Sequence, residues 1–291
     1  MDRFVIDAPS ILGLFPRGVE TLPDALHAHG LVERIGAVGR ISLEPPPFVA
    51  GPDPTSVNNA DALVDFAESL AVAVADVLER GEFPLVLGGD CSILFGPLLA
   101  LARRGPSGLL FLDGHADFSH PDDEPSGEAA SMDLALATGR VPAGFGPIGG
   151  FDPLIADDRV AVLGYRVHGD GTDTNRGTHI DDTRVTAIDL AEVRRLGLDR
   201  AITDALAVVA RDELDGFWIH IDVDVLDDAL MPAVDYRTPD GLTWEELTTI
   251  VRTALATGRA RGLDLTIFNP TLDPDGHLAA RLVAFLADVL T

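Results

Sequence analysis

Short apolar runs alternate with longer amphipathic segments along the whole chain. The short runs are rich in Val, Ile and Leu and predict eight strands, near Phe4–Asp7, Gly39–Leu43, Phe83–Leu87, Gly108–Leu112, Val160–Gly164, Val185–Asp189, Phe217–Val223 and Gly262–Ile267. The segments between them have helical spacing and predict helices over Val19–Ile35, Asn59–Arg80, Ile93–Arg103, Gly127–Thr138, Ala201–Asp212, Trp244–Thr257 and Gly276–Leu290. This alternation predicts an α/β fold with a largely parallel sheet.

The chain shows no internal boundary. No linker rich in Ser, Pro or charge divides it, and no long repeat is evident, so we expect one domain over residues 1–291. Thr243 followed by Trp244-Glu245-Glu246 has the pattern of a helix N-cap. Stretches rich in Gly, Pro and Asp predict long surface loops of the kind that often rim a site, at Glu44–Pro54, His120–Pro125 and His168–Gly177.

The charge balance is strongly acidic. Asp and Glu number 47 against 21 basic residues, all of them Arg, for a formal net charge of −26. Nucleic acids and anionic membranes would be repelled at long range, so we expect neither as a partner. One cysteine cannot form an internal disulfide, and no segment has the pattern of a signal peptide or a membrane span. A cytoplasmic location is therefore expected.

Metal-ligating residue types follow three of the predicted strands, and ligands bind at the carboxyl ends of strands in such folds. The segments are Gly88-Gly89-Asp90-Cys91-Ser92, Asp113-Gly114-His115-Ala116-Asp117 and Asp222-Val223-Asp224. Successive side chains of a strand point to opposite faces, so Asp222 and Asp224 project on the same side. The second segment repeats this two-residue spacing.

These segments place four carboxylates and one imidazole at one edge of the sheet. Without cations such a group would be strongly repulsive, and a divalent metal relieves the repulsion. Oxygen ligands with one or two nitrogens suit Mn²⁺ or a similar ion. An isolated D-x-D is more often turn or capping chemistry, but the joint occurrence at separate strand ends favours a metal site.

Five segments, in order, resemble the arginase superfamily, the ureohydrolases, over nearly the whole chain. The family's metal segments G-G-D-H-S, D-A-H-x-D and D-x-D correspond to Gly88–Ser92, Asp113–Asp117 and Asp222–Asp224. The early and late segments of arginases are matched by Phe15–Glu20 with Ala25-Leu26 and Gly30-Leu31, and by Gly262-Leu263-Asp264 with Asn269–Leu272. The resemblance implies a three-layer α/β/α fold that hydrolyses a non-peptide C–N bond, commonly of a guanidino group.

The resemblance also implies a binuclear centre, usually of Mn²⁺, in a trimer or hexamer. It assigns to one ion the ligands Cys91, Asp113, Asp117 and Asp222. It assigns to the other ion Asp113, His115, Asp222 and Asp224, with Asp113 and Asp222 bridging. A water between two cations loses its proton more easily, and the resulting hydroxide attacks the electron-poor carbon.

Two departures from the family pattern concern the metal centre and the wall of the substrate-binding pocket. Cys91 replaces the family's usual histidine ligand, which adds an anionic, softer donor. The alternative is that Cys91 is a small buried thiol and that its ion is weakly held or absent. Cys91 and the D-G-H sequence are shared with the branch that resembles the N-hydroxyarginine hydrolases. Ile267 stands where the family has the glutamate that pairs with the guanidinium, and Asp264 is expected to be a hydrogen-bonded structural carboxylate.

Two further departures concern proton transfer and substrate anchoring. The family's proton-shuttling histidine would fall near Ala129-Ala130, so His120 or Glu128 is the candidate general acid beside Asp117. A solvated loop histidine is the alternative for His120. Ser119 and Ser126 resemble positions that contact an α-carboxylate, whereas the acidic anchor for an α-amino group is displaced or missing in Gly164–Asp170.

The sequence therefore predicts a metal-dependent, amidinohydrolase-like enzyme that cleaves a C–N bond of a small, weakly basic molecule. Guanidino, N-hydroxyguanidino, ureido and amide compounds are the candidate substrates, because an isoleucine cannot offset a buried cation. Plain arginase activity is not expected on this reasoning. The alternative is a catalytically degenerate homologue that binds a ligand or partner without turnover.

Overall fold

The eight predicted strands form one parallel sheet in the computed structural model, which describes residues 1–51, 55–121, 124–166 and 180–291. The strands are β1 Arg3–Ala8, β2 Ala37–Ser42, β3 Phe83–Gly88, β4 Gly108–Leu112, β5 Val160–Leu163, β6 Thr186–Ile188, β7 Phe217–Asp222 and β8 Ala260–Thr266. Their order is β2-β1-β3-β8-β7-β4-β5-β6. Each of the eight predicted strands is present. The predicted loop His168–Gly177 lies outside the described residues.

The described helices are α1 Leu22–Ala28, α2 Leu31–Ile35, α3 Ala60–Glu79, α4 Phe95–Ala102, α5 Asp133–Ala137, α6 Leu190–Leu196, α7 Leu198–Val209, α8 Trp244–Ala256 and α9 His277–Leu290. The prediction of one helix over Val19–Ile35 is wrong, because the chain divides at Gly30, which has a left-handed backbone (φ 73°). Helix α6 was not predicted. No helix within the described ranges is long and apolar enough to cross a membrane.

The sheet separates two apolar layers, so the fold has three layers as the resemblance implied. Alternate residues of one strand face opposite layers. Leu110 belongs to the buried layer that contains Ile202 of α7 and Leu282 of α9, whereas Phe111 belongs to the layer that contains Leu70 of α3. Strands β3, β4, β5, β7 and β8 are buried along nearly their whole length. This burial explains why they appear in the sequence as continuous apolar runs.

The order of the strands determines where a site can form. After β3 the chain crosses to β4, and β7 and β8 later fill the two positions between them. Consequently β3, β8, β7 and β4 are neighbours in the middle of the sheet, and their carboxyl ends lie side by side. A reversal of this kind opens a crevice at the sheet edge, where open α/β folds bind ligands.

Helix α8 begins with the cap that the sequence predicts. Thr243 Oγ1 accepts a hydrogen bond from Glu246 N at 3.2 Å, and Glu246 Oε2 accepts one from Thr243 N at 2.8 Å, which is a capping box. Glu246 also pairs with Arg194 of α6. Burial acts to raise the pKa of Glu246, but these bonds together lower it below its ordinary value.

Replacing Glu246 with alanine is expected to lower the free energy of unfolding by about 1 kcal/mol at neutral pH. Because the folded-state pKa is lowered, the carboxylate stabilises the protein above its unfolded-state pKa of about 4.3. Its contribution is then lost as the pH falls through the folded-state value. Urea unfolding at pH 7 and pH 3.5 measures this difference, with Glu245→Ala as the control for an exposed acid in the same turn. A pH-independent difference would contradict the role of the charge.

Candidate metal centre

The four central strands deliver the predicted metal and substrate residues to one edge of the sheet. Cys91 begins the short 3₁₀ helix that follows β3, and Asp113 is the first residue after β4. Asp222 ends β7, and Ile267 follows β8 directly. Residues far apart in sequence therefore meet: Cys91 and Asp222, which are 131 positions apart, are in hydrogen-bond contact.

Gly89 allows the turn after β3 to pack against the loop after β1. A Cβ atom at residue 89 would lie 1.7 Å from the carbonyl oxygen of Ser10, so no larger residue fits this backbone. Asp90 N donates to the same oxygen at 3.1 Å, and the Asp90 carboxylate accepts hydrogen bonds from the hydroxyl of Ser10 and the amide of Ser92. These contacts fix the orientation of Cys91 at the carboxyl edge of the sheet.

The Cys91 thiol is buried among acidic groups. Sγ donates a hydrogen bond to Asp222 Oδ2 at 2.9 Å and lies 3.5 Å from Thr266 Oγ1. Burial, followed by the repulsion of Asp222 and other nearby carboxylates, raises the pKa of this thiol well above its ordinary value. In the absence of a cation the thiol is therefore protonated, and only a metal ion would favour the thiolate here.

A second group forms around His115. Its Nδ1 lies 2.8 Å from Asp224 Oδ2 and 3.7 Å from Asp113 Oδ1, while Nε2 contacts Thr238 Oγ1 at 3.3 Å. Burial alone would raise the pKa of Asp224, but His115 and Arg166 lower it to about 2. Asp224 is thus ionised, and His115 is oriented with one ring nitrogen toward two carboxylates.

Gly114 explains the D-G-H sequence of this segment. A Cβ atom at residue 114 would lie 2.5 Å from Arg166 Nη1 and 2.6 Å from both Oδ1 and the carbonyl oxygen of Asp224. Without a side chain, Gly114 N donates to Asp224 Oδ1 at 2.9 Å, and Arg166 Nη2 reaches the carbonyl oxygens of Asp224 and Thr238. The glycine therefore allows strands β4 and β7 to hold their acidic ends in contact.

The pKa values of the remaining acidic groups are shifted in the opposite direction from that of Asp224. Burial, and then mutual repulsion, raises the pKa values of four aspartates well above their ordinary value: Asp113, Asp117, Asp133 and Asp222. No described residue gives a hydrogen bond to Asp113 Oδ2, although this oxygen is buried. Such a cluster is stable in its ionised form only with cations beside it. Thiolate, carboxylate and imidazole donors in this arrangement fit divalent metal ions.

The candidate ligand atoms of the described residues fall into three sets of three. Within the part of the chain that the structure describes, the donor atoms of Asp113, His115 and Asp224 lie within 4.8 Å of one another. The same holds for two sets around the thiol: Cys91 with Asp117 and Asp133, and Cys91 with Asp113 and His220. The residues predicted as ligands are thus brought together, and the set around the thiol contains two further residues.

Asp133 and His220 were missed by the sequence reasoning. Asp133 opens α5 as a single acid in an apolar stretch, which was a usable signal. His220 precedes Asp222 by two positions, so the two side chains share one face of β7, and Asp224 follows in the 3₁₀ turn Val223–Val225. Its Nδ1 bonds to Asp264 Oδ2 at 2.5 Å, and its Nε2 is buried and receives no hydrogen bond from any described residue.

Asp264 has the structural role that the sequence reasoning expected. Its carboxylate is fully buried and bonds to His220 Nδ1 and Trp218 Nε1. The His220 ring in turn stacks on Phe111 of β4, with ring centroids 4.6 Å apart. These contacts hold the imidazole rigidly beneath the acidic cluster. Because Asp264 bonds to Nδ1 of His220, Nε2 is left available for another partner.

A cavity of about 480 Å³ opens from the cluster toward solvent. Its lining includes Asp117, Ser126, Glu128 and Ile267, which the sequence reasoning assigned to catalysis or substrate binding. Ala130 lines it as well, and the resemblance places the family's proton-shuttling histidine near Ala129-Ala130. Ser119 and His120 are absent from the described lining, and their predicted roles stay predictions.

Two of the lining residues have left-handed backbones. Asp117 has φ 43° and Ile267 has φ 67°. An aspartate tolerates this region, but a β-branched residue there is a genuine outlier, and such conformations concentrate at functional sites. The hydrogen bond from Ile267 N to Gly89 O at 2.9 Å joins β8 to the turn that carries Cys91. The apolar side chain of Ile267 is thereby held in the cavity wall.

Glu128 is a further buried acid in the lining of the cavity. Its Oε2 accepts a hydrogen bond from Tyr236 OH at 2.9 Å, and burial raises its pKa above the ordinary value. The amide of Glu128 donates to Ser126 Oγ at 3.1 Å. Part of the hydrogen-bonding capacity of Ser126 is therefore used to position Glu128.

Fold and cluster together define a class: three-layer α/β proteins with a candidate metal centre at the carboxyl edge of a parallel sheet. A family model described as the arginase family matches residues 15–290. The chain belongs to the arginase family.

Known relatives agree with this membership. The chain is 29% identical to an arginase of Bacillus caldovelox over 98% of its own length and 96% of that protein. It is 28% identical to an arginase of Bacillus subtilis, with 97% and 96% covered. The solved structure of the B. caldovelox arginase superposes with a TM-score of 0.87, at 28% identity, over 99% and 98% of the two chains.

Proposed function

We propose that this protein is a metal-dependent hydrolase that cleaves a C–N bond of a small, weakly basic guanidino, N-hydroxyguanidino, ureido or amide compound. One observation carries the proposal: buried aspartates, a thiol and an imidazole converge at a cavity whose lining includes the apolar Ile267. The similarity to proteins named arginase supports the reaction class. The proposal also includes a cytoplasmic location, a homo-oligomeric state and a small-molecule substrate.

The proposed centre holds two Mn²⁺ or similar ions. Cys91, Asp113, Asp117 and Asp222 would hold one ion, and Asp113, His115, Asp222 and Asp224 the other. A pair of divalent ions supplies Lewis acidity and lowers the pKa of water toward neutrality. The chain positions this chemistry through rigid contacts, since the ligands belong to strand ends and turns that the sheet holds in place.

Glu128 is the proposed proton donor to the leaving nitrogen. Its raised pKa keeps a proton on the carboxyl group to a higher pH than an exposed glutamate would allow. Because Tyr236 occupies Oε2, we assign the transferred proton to Oε1. Ile267 orients the substrate by shape and excludes water, and it provides no charge for a guanidinium. A substrate with a neutral reacting group therefore suits this wall better than arginine does.

Metal content and a hydrolysis screen test the proposal. Protein purified without chelator is expected to hold two ions per chain, and with Mn²⁺ it is expected to turn over one class among guanidino, N-hydroxyguanidino, ureido and amide compounds. Bound metal without turnover of any class would favour the alternative, a degenerate homologue that binds a ligand or partner. Efficient release of urea from L-arginine would instead contradict the assignment of the Ile267 wall.

A further inference from the structure

Asp133 is the one acidic residue of the cluster that corresponds to no motif of the family resemblance. It is fully buried at the start of α5, and neither of its carboxylate oxygens has a hydrogen-bond partner among the described residues. Its neighbours in the cluster are the Cys91 thiol and Asp117, with donor atoms within 4.8 Å of one another. The side chain therefore faces two residues proposed to hold the first ion.

An unpartnered, buried carboxylate is costly, and the surroundings decide how it is satisfied. Hydrogen bonds remove the cost of the other buried aspartates nearby: Asp90 bonds to Ser10 and Ser92, and Asp264 to Trp218 and His220. Neither oxygen of Asp133 meets hydrogen-bond geometry with a described residue, and apart from the adjacent Leu134 amide its strongest electrostatic neighbours are acids. A cation between Asp133, Asp117 and the thiol satisfies all three groups together.

We propose that Asp133 is a ligand of the metal ion beside Cys91, so that this ion is held from the side of α5 by Cys91, Asp117 and Asp133. The inference rests on the proposed metal centre and extends it beyond the six ligands that the motifs supply. Asp133 adds a hard oxygen donor on the side where the usual imidazole has been replaced by a thiol.

The donor set also indicates which metal ions would be preferred at the first position, the one beside Cys91. A thiolate with carboxylates favours borderline ions such as Zn²⁺, Co²⁺ and Fe²⁺ over Mn²⁺ at that position. The second position, with Asp113, His115 and Asp224, has no sulfur ligand among its described members. The two positions therefore differ in preference, and Co²⁺ is a suitable probe because a cobalt–thiolate bond gives a charge-transfer band in the near ultraviolet.

The test compares metal binding by the full chain and by Asp133→Asn, an isosteric change that removes the charge. Wild type, stripped of metal and titrated with Co²⁺, is expected to bind two ions and to develop the thiolate band. Loss of a group that hydrogen-bonds to a metal ligand lowers metal affinity by roughly 10- to 100-fold. Loss of a direct ligand is therefore expected to lower the affinity for the first ion by at least 100-fold. The thiolate band should be lost at cobalt concentrations that saturate wild type.

Thermal unfolding separates ligation from a structural role. Metal-free Asp133→Asn is expected to melt no lower than metal-free wild type, because an amide of the same shape has no charge to bury or neutralise, while its stabilisation by Co²⁺ falls. Asp273→Asn is the matched control, since Asp273 is also buried but bonds to the amides of Leu278 and Ala279 in α9. This control is expected to keep both ions and the band.

Three results would overturn the inference. If Asp133→Asn binds two Co²⁺ ions with wild-type affinity and an unchanged band, Asp133 is not a ligand, and the proposed function stands. If wild type binds no ion and shows no band, the metal centre and the proposed function fail together with this inference. A variant that melts lower than wild type both with and without Co²⁺, by equal amounts, also contradicts ligation.

Discussion

Replacing Asp222 with alanine is expected to remove both metal ions and to abolish turnover together. Asp222 is the proposed bridge between the ions, and its two oxygens already contact both halves of the centre. Oδ1 accepts a hydrogen bond from Asp224 N at 2.8 Å, and Oδ2 accepts one from Cys91 Sγ at 2.9 Å. Loss of one bridging group therefore weakens both positions, whereas loss of Cys91 or His115 would weaken one.

Metal analysis and the hydrolysis assay on the same preparation measure this effect. We expect a fall from two ions per chain to fewer than one, with activity reduced by at least 1,000-fold, about 4 kcal/mol in transition-state stabilisation. Metal-free stability should change little or rise, because one member of a mutually repulsive buried cluster is gone. Asp212→Ala, a change at an exposed aspartate, controls for net charge. Undiminished activity in Asp222→Ala would refute the assignment of the centre.

The change Ile267→Glu is expected to convert the cavity wall into a cation-binding surface. A buried carboxylate at this position would pair with a guanidinium, and charged hydrogen bonds of this type contribute about 1.5–3 kcal/mol. The affinity for agmatine or L-arginine should therefore rise by roughly 10- to 100-fold. The unliganded variant should lose about 1–3 kcal/mol of stability, because Ile267 is only 5% exposed and a carboxylate there lacks a partner.

Ile267→Gln is the matched control, with the shape of glutamate and no charge. Calorimetric titration of both variants with agmatine measures the charge contribution, and thermal unfolding with and without agmatine measures the recovery of stability on binding. Equal affinities for the two variants would show that residue 267 does not face the guanidinium position. In that case the substrate preference must be assigned to another part of the wall.

Much of the fold was predictable because the buried parallel strands are continuous apolar runs. All eight strands were found near their predicted positions, and the capping box at Thr243 was anticipated from its sequence. Helix α6 was missed because it is short and buries few apolar residues, among them Leu190 and Val193, so its periodicity is weak. The break at Gly30 was missed because the surrounding spacing suits a continuous helix.

The site was only partly predictable. The motif acids follow strands, and a parallel sheet brings the ends of its strands to one edge, so their meeting was foreseeable. Asp133 and His220 were not recognised, because their importance depends on which groups surround them. Ser119 and His120, predicted from loop positions, do not line the described cavity, since a loop residue can face either way.

The sequence by itself determined the fold class, the acidic character and the strand ends at which metal-ligating residues occur. These features follow from local patterns: apolar runs, helical spacing and short motifs read within a few residues. Only the tertiary structure decided that β3, β8, β7 and β4 are neighbours, that Asp133 faces Cys91, and that its carboxylate has no described hydrogen-bond partner. The physical reason is that burial and electrostatic energy depend on distances between residues far apart in the chain, which packing alone establishes.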